Sequence, residues 1–148
     1  MSVSRGQVSR RATVAEQLFG AGGLPRQRPA KGYLASVQAH EIGEIDPQPR
    51  DAEGHGYVDF LASDRLSVGL AVWPAGSTDR QRPHEEDEVY YVISGRGAIR
   101  VDGEDRPVQA GSLVFVAAHV EHRFHSIEDD LRVLVFWAPP HHRPAHHS

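Results

Sequence analysis

Two imidazoles and a carboxylate stand where a divalent metal could be held. His84 and Glu88 lie in the stretch Gly76–Gly95, and His122 closes a second block, Gly111–His122. Each block puts its polar residues at the mouth of a β-prone run. Side chains on a strand alternate between faces, so Arg82, His84, Glu86, Glu88, Tyr90 and Val92 share one face if the chain runs straight. A face with His, Glu and Glu beside Val92 makes an odd core, since burying such charges costs on the order of several kcal/mol each unless they are paired or bound to a metal. A metal removes the conflict. Two His and one carboxylate leave coordination positions open, which favours divalent iron and also suits zinc, manganese or nickel. The plainer reading is a solvated acidic turn at Glu85–Glu88 with His84 on the surface. The flanking glycines and the second His block weigh against it.

The neighbouring residues are weaker candidates. Tyr90, two positions past Glu88, is a candidate proton donor or substrate partner, with a plain core tyrosine as its alternative. His119 falls in a turn and can line a pocket mouth, while His125 faces outward on a straight strand. Trp73, Phe115, Phe124, Phe136 and Trp137 read most simply as core, with one or two free to wall a pocket. His40 and His55 sit in no motif and receive no function.

The elements that must position these groups are strands. Leu66, Val68, Leu70 and Val72 alternate with Ser67, Gly69, Ala71 and Trp73, a period of two. Further runs cover Tyr33–His40, Tyr57–Ala62, Glu88–Ile93, Ala98–Val101, Arg106–Gln109, Ser112–Ala117, Glu121–Ile127 and Leu131–Trp137. Gly and Asp turns punctuate them, among them Asp102-Gly103 and the acidic Glu128–Asp130. About nine short strands with frequent turns predict an all-β antiparallel sandwich or barrel. Residues 1–32 read as an arm with one short helix begun by the capping box Thr13–Glu16. Residues 33–138 form the domain, and 139–148 a loose His- and Pro-rich tail that would bind a nickel column without functional meaning.

Composition limits the rest. The 148 residues suit one domain. The absence of Cys excludes disulfides and thiolate chemistry. A net charge of −4, with Lys31 the one lysine, argues against nucleic acid as a partner. No run approaches the roughly 18 apolar residues of a membrane span, so no membrane partner is expected and a cytoplasmic location is the default.

The two blocks resemble the paired motifs of the cupin superfamily. In the first, Gly76, His84, Glu88 and Gly95 take the family's places, and Arg82 stands where the first His of a His-x-His pair belongs. In the second, Gly111 and His122 fit, while Ala117, His119 and Ser126 replace the family's Pro, Gly and Asn. The likeness covers Gly76–Ser126. It implies a single jelly-roll barrel with a metal inside, facing a small-molecule pocket. With Arg82 in place of a ligand, the fourth position falls to Glu86 or to water. Arg82 itself either grips an anionic substrate by bidentate hydrogen bonds or, turned by Pro83, faces solvent. The family's range leaves two readings. One is a metal-dependent enzyme on a small, anionic metabolite: an oxygenase, isomerase, cyclase or lyase. The other is a non-catalytic binding module or accessory subunit. A homodimer is expected, with the arm or first strands lying across the partner.

Overall fold

The computed structural model describes residues 37–141. The expected arm and helix of residues 1–32 and the tail beyond His141 lie outside the described residues. Within them there are six strands: β1 (Gly56–Ala62), β2 (Ser67–Trp73), β3 (Asp87–Val101), β4 (Glu104–Gln109), β5 (Leu113–Val116) and β6 (His122–Ala138). One 3-10 turn, Ile42–Glu44, precedes them. Every pairing is antiparallel, in the order β1-β2-β6-β3-β4, with β5 beside β3. This is the all-β jelly-roll barrel.

Fewer and longer strands appear than the turn residues predict. Glu88–Ile93 and Ala98–Val101 are two halves of the 15-residue β3. Likewise Glu121–Ile127 and Leu131–Trp137 join in the 17-residue β6, which runs through the acidic Glu128–Asp130 instead of breaking there. Residues 37–40, the described part of the first β-prone run, form no strand.

The long strands bend rather than stop. Ladder register between β3 and β6 shifts at Val92/Ser94, Ser94/Arg96 and Arg96/Ala98. An extra residue at such a bulge moves the following side chains to the other face. In β3 the buried positions accordingly change from Glu88, Tyr90 and Val92 to Gly97 and Ile99. In β6 they change from His122 and Phe124 to Leu131, Val133, Val135 and Trp137, past Ser126 with its positive φ of 49°. Both strands therefore present side chains to one interior along their whole length. Trp73, Tyr90, Ile99, Phe124 and Leu131 pack there.

Phe115 and Phe136 are not core. They are 59% and 38% exposed. Phe115 stands opposite Val89, as does Phe136 from the other side, and Leu113 stands opposite Tyr91. All of these have the parity that points away from Glu88 and Tyr90, so they form an apolar outer face.

Candidate metal centre

Glu88 is the second residue of β3 and His122 the first of β6. They lie at opposite ends of the β3–β6 ladder, where Glu88 pairs with Trp137 and His122 with Val101. The bend brings them together: His122 Nε2 is 2.8 Å from Glu88 Oε2. His84 precedes β3 on a loop. Its carbonyl accepts the His119 N–H at 2.7 Å, which ties it to the turn before β6. His84 Nε2 reaches the same carboxylate oxygen at 2.9 Å. The ligand-type atoms of His84, Glu88 and His122 all fall within 4.8 Å of one another, and this group can hold a metal ion.

The hydrogen bonding agrees with that capacity. His122 Nδ1 is 2.8 Å from the Val120 carbonyl. When that nitrogen donates to the carbonyl, Nε2 is left with a lone pair directed at the cluster. Although close to Glu88, the His122 Nε2 has no hydrogen-bond partner, and neither has Glu88 Oε1. Both atoms are buried. Glu88 is 0% exposed and His122 2%. Unsatisfied buried acceptors are costly, and a cation bound between these side chains would satisfy them. Burial works against a charge on His122, but the Glu88 carboxylate 2.8 Å away, the Val120 carbonyl and the Asp79 charge outweigh it, so its pKa is raised. The locus attracts positive charge.

The remaining sequence candidates are placed differently. Glu86 does not join the cluster as a fourth member. Its Oε2 lies 3.2 Å from His84 Nδ1, behind the ring, because Glu86 belongs to the bend before β3 rather than to the strand face. A carboxylate there puts negative charge beside the imidazole without hydrogen-bonding it. Glu86→Ala is expected to weaken metal binding by about tenfold, much less than loss of Glu88 does, as titration of the two variants would show. Arg82 is exposed and does not line the cavity, since the strand begins only at Asp87, after Pro83. Tyr90 does point inward. Its hydroxyl lies 2.8 Å from Glu88 Oε2 and 3.1 Å from Gln81 Oε1. Burial, followed by the Glu88 charge, pushes its pKa well up, so it is a donor that holds Glu88 and not a base. His119 is exposed, and His125 bonds Asp105 at 2.8 Å on the outside.

Several contributors carried no signal in the sequence. Gln81 bonds Tyr90 and also donates to the buried Asp79, whose carboxylate takes N–H groups of Gln81 and Phe124. Asp79 thus fastens the loop before β3 to β6. A cavity of about 290 Å³ opens beside Glu88 and Tyr90. Tyr57, Trp73 and Trp137 wall it, and Arg50, His55 and His141 also line it. Trp137 donates to the Tyr57 hydroxyl at 2.8 Å, and His141 stacks on Trp137 at 4.4 Å.

Fold, cavity and cluster together are those of a small-molecule β-barrel, and the cupin domain profile matches residues 69–139. The chain belongs to the cupin superfamily. It is 47% identical over 104 residues to an uncharacterized protein of Streptomyces coelicolor, covering 70% of this chain and 98% of that one. A β-D-galactosidase of Mycobacterium tuberculosis is 32% identical over 82 residues, covering 55% of this chain and 63% of the relative. Among solved structures, KdgF from a Halomonas species superposes with a TM-score of 0.62 at 22% identity, covering 74% of this chain and 97% of that one.

Proposed function

We propose that this protein is a metal-dependent enzyme that acts on a small anionic metabolite inside the barrel, with His84, Glu88 and His122 as the metal ligands. The observation that carries this reading is the convergence of the three side chains at 2.8 and 2.9 Å around one carboxylate oxygen, with buried acceptor atoms unsatisfied. Two imidazoles and one carboxylate would leave coordination positions open on a divalent ion, so iron(II) is the first choice, ahead of manganese, nickel and zinc.

A divalent ion held there supplies Lewis-acid polarisation of substrate oxygens and, if it is iron, a site for oxygen chemistry. The chain's own groups do the rest. Tyr90 and Gln81 hold Glu88 in place. Tyr57, Trp73 and Trp137 exclude water and favour a flat or ring-shaped ligand. Arg50, which lies over the Tyr57 ring at 4.8 Å, puts a positive charge on the cavity wall, which favours an anion there. An oxygenase is the leading reaction class, with isomerase, cyclase and lyase behind it.

The test is metal analysis of the full chain purified without a nickel column, with Glu88→Ala as the control for metal on the tail. About one equivalent lost in the variant supports the reading. Equal metal in both, with a metabolite still bound, would identify a binding module instead.

The homodimer expected from the sequence is also a proposal, and the outer face of Tyr91, Leu113, Phe115 and Phe136 is the surface that suits a second copy. Phe115→Asp is expected to convert the dimer to monomer, read by light scattering. A wild-type monomer at high micromolar concentration would refute the dimer. Among the described residues no helix is long and apolar enough to cross a membrane.

A further inference from the structure

With Arg82 outside the cavity and Tyr90 committed as a donor, neither sequence candidate can take a proton from a ligand. The wall away from the cluster offers another group. The loop Arg50–His55 is closed by the Arg50 N–H to the His55 carbonyl at 2.7 Å and turns at Gly54, whose φ is 86°. Asp51 organises it. Oδ1 accepts the backbone N–H groups of Glu53 and His55, both at 3.0 Å, and Oδ2 lies 2.5 Å from His55 Nδ1. The bond to His55 is the main cause of the lowered Asp51 pKa, so Asp51 is a carboxylate at neutral pH. An ionised Asp51 places the proton on Nδ1 and leaves Nε2 as the basic nitrogen. That Nε2 is buried and has no hydrogen-bond partner. Glu53 Oε2, at 3.8 Å, makes no hydrogen bond to it; it accepts the Thr78 N–H instead, while Glu53 Oε1 pairs with Arg80. His55 lines the same cavity as Glu88.

We propose that the Asp51–His55 pair is the proton-transfer group of this cavity, and that it serves ligands carrying an enol or phenol hydroxyl. The inference rests on the metal reading above. The ligand O–H bond breaks, its electron pair stays on the ligand oxygen, and the proton moves to His55 Nε2. Asp51 then stabilises the imidazolium that forms. Of the other charged or titratable groups around the cavity, Glu88 and Tyr90 bond each other, and Arg50 carries a fixed charge. Among the described residues, His141 is the one rival imidazole on the wall. Its Nδ1 lies 3.4 Å from Glu86 and has no hydrogen-bond partner.

The probe is catechol, which is protonated at neutral pH and loses a proton on binding a metal. Its binding to the zinc-loaded full chain is followed by calorimetry in buffers of different ionisation enthalpy, which counts the protons released to solvent. Quenching of Trp73 and Trp137, the chain's 2 tryptophans, gives the affinity independently. His55→Gln is expected to release about one proton more per catechol than wild type and to bind about tenfold more weakly. Asp51→Asn, which keeps the backbone acceptor, should behave the same way because it favours the opposite tautomer, and His141→Gln should match wild type. Equal proton counts for wild type and His55→Gln, or a change in His141→Gln alone, overturns the proposal. So does a wild type that holds zinc but does not bind catechol. Zinc content of the same samples separates the two readings. Zinc at one equivalent with unchanged proton counts sinks only this inference, whereas zinc equal in wild type and Glu88→Ala sinks the metal reading and this one with it.

Discussion

Glu88→Ala is expected to reduce bound metal from about one equivalent to the level held by the tail alone, with affinity at the barrel site falling by more than about a hundredfold. Glu88 is the sole carboxylate of the cluster, and three polar groups meet on its Oε2: His84, His122 and Tyr90. Removing it leaves two neutral imidazoles with no charge to offset a divalent ion. It also strips the Tyr90 hydroxyl of its buried acceptor, at a cost of about 1–3 kcal/mol. His122→Ala should be nearly as severe for metal, because among the described residues His84 and Glu88 are the only other ligand-type groups of the cluster. His119→Ala and His125→Ala should leave metal content unchanged. Metal analysis and a chelator competition on the folded variants decide the matter. Retention of one tight equivalent in both Glu88→Ala and His122→Ala would show that the site lies elsewhere.

Gly95→Ala is expected to destabilise the protein by about 3 kcal/mol or more, with a fall in Tm on the order of 10 °C. Gly95 has a φ of 93°, a conformation that side chains resist, and a Cβ placed there would stand 2.1 Å from the Asp130 carbonyl oxygen of β6. Relief requires β3 and β6 to separate where both strands bend. The same bend holds Glu88 against His122, so the folded fraction should also bind metal more weakly. Gly103→Ala is the control. It shares a positive φ of 79° but meets nothing within 4 Å, and it should cost only about 1 kcal/mol. Equal melting temperatures for Gly95→Ala and wild type would refute the close approach.

Local chemistry made much of this protein legible before folding was considered. Alternation over Leu66–Trp73 is a property of the strand itself, and β2 covers all of it but Leu66. Gly103 and Gly111 mark turns because no other residue easily takes their positive φ. His84, Glu88 and His122 were identifiable because ligand-type residues at a strand mouth make sense only as partners of one another. Strand number was misjudged for a related reason: Gly95 and Glu128–Asp130 have the composition of chain breaks, yet interstrand pairing carries β3 and β6 through them as bulges. The outward aim of Phe115 and Phe136 follows from the parity of those strands, which hydrophobicity alone does not reveal.

What the sequence by itself determined is therefore the β class, the turns at Asp102-Gly103 and Gly111, and the three candidate ligands, since each depends on neighbours a few residues away. Tertiary structure alone decided that the two ends of one ladder meet, that Glu86 stands behind His84, that Arg82 faces outward, and that Asp51 and His55 share a cavity with Glu88. Those outcomes depend on where a bulge turns a strand and which distant loop closes over the barrel. Such contacts join residues tens of positions apart, and no local spacing encodes them.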